Sequence, residues 1–257
     1  MTHGDELLSA RRVVVKVGSS SVSGANAAQI PELVASLARL HAAGAQVILV
    51  SSGAIATGVP FLRLEERPDD LATQQAAAAV GQNILVNRYQ RALTTHEIIA
   101  GQVLLTAQDI ENPTHRDNAR RAIERLLQLG ILPIINENDT VATHEIRFGD
   151  NDRLAALVAR LVDADRLVLL SDVDALYTAP PMMAGAQRIA AVAYGDPLEG
   201  IEIGESQSGW GTGGAATKVQ AARLAADAGA TVLLTETRLL AAVLDGADHG
   251  TRFAARP

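Results

Sequence analysis

The sequence contains no cysteine, which excludes disulfides and thiolate metal sites. Aromatic residues make up only 3% of its 257 residues, whereas hydrophobic residues make up 48%. A core must therefore be built from Ala, Val, Leu and Ile, and Ala-rich helices on Val/Ile/Leu strands suit that mixture. Basic residues are also sparse. The 22 Lys and Arg stand against 29 Asp and Glu for a net charge of −7, with no basic stripe of the kind that neutralises a nucleic-acid backbone. No apolar run reaches membrane-spanning length, and no signal-like segment opens the chain. These features lead us to expect a cytoplasmic globular enzyme with one large α/β core. Met1 to Arg11 reads as a short polar lead-in.

What is present is an alternation of two patterns. Short apolar runs at Val13–Val17, Gln46–Val50, Gln102–Leu105, Leu132–Ile135, Leu167–Leu170 and Thr231–Leu234 lack polar alternation, as strands buried on both faces do. Between them, apolar residues fall at helical spacing: Ile30, Leu33, Val34, Leu37 and Leu40; Ala119, Ala122, Ile123 and Leu126; Leu154, Leu157, Val158 and Leu161; Val219, Ala222 and Ala226. Asp70 to about Leu93 reads as a long Ala- and Gln-rich helix with an interruption at Gly81. Thr178 to Gly211 reads as loops with a short strand near Arg188–Val192. The alternation predicts a three-layer αβα sandwich with a mainly parallel open sheet, one domain over residues 1–257. Ligands of such sheets sit beyond the carboxyl ends of the strands.

Five polar motifs stand out, all but the glycine-rich one at such ends. Lys16 stands inside an apolar strand, followed by Gly18-Ser19-Ser20; it either meets an anionic ligand or snorkels to water. Ser51-Ser52-Gly53-Ala54 leaves room for a ligand or is an ordinary small-residue turn. Asn136-Glu137-Asn138-Asp139 and Gly149-Asp150-Asn151-Asp152 form the densest polar cluster, with chemistry suited to gripping an amino acid. A helix N-cap accounts for one of these residues but not all, and no full calcium loop is present. Gly209-Trp210-Gly211-Thr212-Gly213-Gly214 leads to Lys218, offering backbone N–H groups and an ammonium to a phosphate. The glycines fit neither a P-loop, for want of Gly-Lys-Ser/Thr, nor a dinucleotide site, for want of a preceding strand. Ser171-Asp172, at the end of another strand, can contact a ribose or cap a turn.

In this order, the segments resemble the glutamate 5-kinase family of the amino acid kinase superfamily. The matching stretches are Val15–Ser20, Ser51–Ala56, Ala77–Gln82, Gly101–Thr106, Ile135–Ala142, Glu145–Asp152 and Gly211–Gly214 with Lys218. The resemblance runs from about Arg12 to Pro257. It implies ATP-dependent phosphorylation of the L-glutamate side-chain carboxylate, the first step toward proline, with Mg2+ accompanying ATP. By it, Lys16 and Lys218 would neutralise the transferring phosphoryl group, and Asp152 would orient the two lysines. Ser52, Asn136, Asp139 and Asn151 would bind glutamate. Lys16, Ser171, Asp172, Thr212, Gly213, Gly214 and Lys218 would hold the nucleotide, and no protein metal ligand is expected. It further implies functional coupling to glutamyl phosphate reductase and a homo-oligomer, without nucleic-acid or membrane partners.

The sequence departs from that family's pattern at Gln74, at Ala179–Met183 and at Trp210, and it ends without the C-terminal PUA domain found in many relatives. A relative acting on another acceptor (aspartate, carbamate, a nucleoside monophosphate) and a non-catalytic sensor of the same fold are the competing readings.

Overall fold

The computed structural model describes residues 2–63, 68–142, 151–180, 182–183, 185–198 and 214–257. The six apolar runs become β1 (Arg12–Val17), β2 (Gln46–Ser51), β3 (Ala100–Leu105), β4 (Leu132–Glu137), β5 (Arg166–Ser171) and, after the two-residue strands β6 (Leu176–Tyr177), β7 (Arg188–Ile189) and β8 (Ala191–Val192), β9 (Thr231–Glu236). A last short strand, β10 (Thr251–Phe253), follows. The main sheet has the order β3-β4-β2-β1-β5-β9-β10-β8. All neighbours pair in parallel except β9 and β10, so the sheet is mainly parallel, as the sequence predicts. β6 and β7 make a separate antiparallel pair.

The described helices are α1 (His3–Leu8), α2 (Ser19–Val22), α3 (Ile30–Ala42), α4 (Ala54–Gly58), α5 (Leu71–Thr94), α6 (Ala107–Glu111), α7 (Pro113–Gln128), α8 (Asn151–Leu161), α9 (Ala215–Asp227) and α10 (Leu240–Leu244). They form two layers, because side chains alternate across each strand. Val13, Val15 and Val17 pack with residues of α1, α3, α5 and α10. Val14 packs with residues of α7, α8 and α9 on the other face. Lys16 shares the parity of Val14, so its side chain enters the layer that contains α8. No described helix is long and apolar enough to cross a membrane.

Two expectations are corrected. The opening residues are not a polar lead-in: Thr2 and Asp5 form a capping box on α1, each satisfying a backbone N–H of the other. Leu7 is buried in the core beside α10. Nor is α5 interrupted at Gly81; it runs unbroken from Leu71 to Thr94. A Cβ on Gly81 would lie 1.8 Å from the Ala54 carbonyl oxygen, and one on Gly58 would lie 1.9 Å from that of Ala77. The glycines let α4 and α5 meet backbone to backbone, which compensates the roughly 1 kcal/mol that glycine loses to alanine inside a helix.

Candidate active site

Lys16 pairs in register with Val50 on one side and Leu169 on the other, in the middle of the sheet. An ammonium there is stable only with a partner, and α8 supplies it. Asp152, the second residue of α8, forms a salt bridge with Lys16 through Oδ1 and accepts from Lys218 Nζ through Oδ2 at 3.1 Å. All three side chains are buried, Asp152 completely. Lys218 lies one turn into α9, whose N-cap is Gly214. Gly214 brings no side-chain oxygen to that end, so the first-turn N–H groups remain suited to an anion.

A chain of amides lies beside the triad. Asn151 Nδ2 donates to the Ser51 carbonyl oxygen at 2.7 Å and to Asn136 Oδ1 at 2.8 Å. Asn136 Oδ1 also accepts from Glu137 N at 2.9 Å, while Asn136 Nδ2 donates to Gln82 Oε1 at 2.6 Å. The chain therefore ties α8, β2, β4 and α5 together at the carboxyl ends of the strands. Ser51 Oγ lies 2.9 Å from Tyr89 Oη; burial pushes the Tyr89 hydroxyl well up from its ordinary pKa, against the opposing hydrogen bond from Ser51. Ser52 follows directly, its N–H donating to the Val17 carbonyl oxygen at 3.1 Å. Gly53 turns the chain into α4 with φ of +96°, a conformation glycine adopts without strain. Asp139 is half-buried just beyond β4.

On the other side of β1, Ser171 ends β5 and donates to Asp172 Oδ1 at 3.0 Å. Thr237 Oγ1, after β9, lies 2.8 Å from Ser21 Oγ and 3.3 Å from the Ser171 carbonyl oxygen. Ser171 is buried and Asp172 exposed. Thr212 and Gly213 lie outside the described residues, as do Trp210 and the Glu145–Asp150 part of the matching stretch, Gly149 and Asp150 of the second polar block included. At Gln74, Nε2 donates to the Pro68 and Asp69 carbonyl oxygens at 2.8 and 3.3 Å, tying down the start of α5.

The predicted site residues Lys16, Asp152, Lys218, Asn136 and Asn151 are thus brought together, with Ser52, Asp139 and Ser171 at neighbouring strand ends. Sequence reasoning assigned no role to Gln82, Ser51, Tyr89 or Thr237. These are a helix glutamine, a buried tyrosine and two hydroxyls, and only their partners single them out. Chemically, two ammonium groups held on one carboxylate suit a polyanion whose charge shifts during reaction. The amides beside them suit a zwitterion with ammonium and carboxylate ends.

Comparison with known proteins agrees with this chemistry. The chain matches the sequence profile described as the Amino acid kinase family over residues 11–235. A protein named glutamate 5-kinase from Clavibacter sepedonicus is 69% identical over 250 residues, covering 97% of this chain and 96% of its own. Another of that name from Salinispora arenicola is 54% identical over 258 residues, covering 98% of this chain and 70% of its own. Among solved structures, carbamate kinase from Giardia lamblia bound to AMP-PNP superposes with a TM-score of 0.69 over 97% of this chain and 100% of that one, at 16% identity. That likeness concerns the fold alone. The chain belongs to the amino acid kinase family, within its glutamate 5-kinase branch.

Proposed function

We infer that the protein transfers the γ-phosphoryl group of ATP to the side-chain carboxylate of L-glutamate, giving γ-glutamyl phosphate and ADP, as the first step toward proline. The observation that carries this reading is the joint grip of Lys16 and Lys218 on Asp152, next to the Asn136–Asn151 amides. Phosphoryl transfer asks little covalent help of a protein; it needs in-line positioning and stabilisation of charge on the equatorial oxygens. In our reading Asp152 sets the two ammonium groups at the spacing that does this. The attacking carboxylate is ionised near neutral pH, so no general base is required.

The α-ammonium and α-carboxylate of glutamate would be held by Asp139, Asn151, Asn136 and the Ser52 turn. ATP would lie over Ser171 and Asp172 toward the start of α9, where Thr212, Gly213 and Gly214 lead into Lys218. Mg2+ fits this site as a passenger on the nucleotide's phosphates, because the central carboxylate, Asp152, is engaged by both lysines. Bound there, it would screen phosphate charge. The acyl phosphate product hydrolyses readily, which supports a reductase acting on it directly afterwards. A sensor of the same fold would gain nothing from two lysines around one phosphate. ADP release that requires glutamate, and is not met by aspartate or carbamate, tests the assignment.

A further inference from the structure

Asn136 and Asn151 are joined to a third amide, that of Gln82 on α5, a residue only 8% exposed. Two backbone groups with fixed roles set the direction of every bond among them. Glu137 N–H can only donate, so it claims Asn136 Oδ1 and turns Asn136 Nδ2 toward Gln82 Oε1. The Ser51 carbonyl can only accept, so it takes one Asn151 amide hydrogen, and Asn136 Oδ1 takes the other. Both Asn151 hydrogens are thereby committed, and its carbonyl oxygen is the atom it can offer an ammonium.

Gln82 holds its end of this arrangement at a disadvantage. Its Nε2 is buried and meets no hydrogen-bond acceptor among the described residues, an unfavourable setting for a buried donor. Methionine, of similar length, has no such donor, but its thioether sulfur would accept only weakly from Asn136. The neighbouring residue, Gly81, packs directly on Ala54 of α4, the helix that the Ser52–Gly53 turn opens. The position of Gln82 is thus fixed against the same turn that borders the amino-acid side of the site.

We propose that Gln82 is a positioning residue for the amino-acid substrate: it locks the Asn136 amide, which in turn aims the Asn151 carbonyl oxygen at the substrate's α-ammonium. The inference rests on the glutamate reading above. The test is steady-state kinetics on Gln82→Met, with Gln82→Asn, too short to reach Asn136, as the second variant. Each should raise KM for glutamate roughly fivefold, the worth of about one hydrogen bond, and leave KM for ATP within about twofold. In an Asn136→Ala background, Gln82→Met should add nothing further, because residues that act through one another are not additive. The inference is overturned by an unchanged KM for glutamate, by equal increases for both substrates, or by additive effects in the double variant. A wild-type enzyme that releases no ADP with glutamate would overturn the substrate assignment itself, and this inference with it.

Discussion

Lys218 Nζ lies 3.1 Å from Asp152 Oδ2, although 66 residues separate the two in sequence. The contact joins the first turns of α8 and α9, and Lys16 meets the other oxygen of the same carboxylate. A buried carboxylate that organises two cations fixes their separation more rigidly than water-exposed side chains could. That rigidity is what stabilisation of a charge-shifting transition state requires.

Removing one ammonium should therefore act on the chemical step. Lys218→Ala is expected to lower kcat about a hundred- to thousandfold, equivalent to roughly 3–4 kcal/mol of transition-state stabilisation, with the fold retained. Circular dichroism and initial rates on the purified variant check this. Near wild-type turnover in a folded variant would contradict the role given to Lys218.

The amino-acid side should respond differently. Asp139→Ala is expected to raise KM for glutamate far more than KM for ATP, since Asp139 follows β4 closely, three residues after Asn136 of the amide chain. Calorimetric titration of each substrate gives the comparison. Equal weakening of both would place Asp139 elsewhere.

The α4–α5 crossing makes a prediction about stability. Gly81→Ala would put a methyl group 1.8 Å from the Ala54 carbonyl oxygen, and this overpacking should cost about 1–3 kcal/mol or more. Gly44 has φ of +96° and nothing within 4 Å of where a methyl group would stand, so Gly44→Ala meets strain of backbone conformation alone. Thermal unfolding should show the larger loss of Tm for Gly81→Ala. Equal losses would mean that the helices separate freely and the crossing does not fix the Ser52 turn.

Much of this arrangement is legible in the sequence. The central strands β1, β2, β4, β5 and β9 carry buried apolar stretches because both faces are covered, so they read as runs without alternation, whereas β3 at the sheet edge is only partly buried. Lys16 attracts notice for the same reason: an ammonium inside such a run demands a partner. The partner is harder to see, because Asp152 is one carboxylate in a crowded acidic block and only the crossing of α8 over β1 selects it. Gly81 misleads, since local propensity reads it as a helix break, whereas a backbone contact with α4 rewards it. Strands β7 and β8 fall where the sequence predicts a short strand near Arg188–Val192, whereas helix α1 is too short for periodicity and strands β6 and β10 are held by non-local bonds. Thr251 Oγ1, for one, accepts from Leu176 N at 2.8 Å and lies 2.6 Å from the Ile189 carbonyl oxygen. Gln82 shows in the sequence only as the end of the matching Ala77–Gln82 stretch; its role comes from facing Asn136.

The central claim is carboxylate phosphorylation, and hydroxylamine trapping measures it most directly. In the reading proposed above, the substrate carboxylate attacks the γ-phosphoryl group itself. Its oxygen forms the new P–O bond, the bond to ADP breaks, and an acyl phosphate is released that hydroxylamine converts to a hydroxamate. Enzyme with Mg-ATP, hydroxylamine and glutamate should yield γ-glutamyl hydroxamate in step with ADP, and aspartate should yield none. ADP without hydroxamate, or hydroxamate from aspartate alone, would contradict the account.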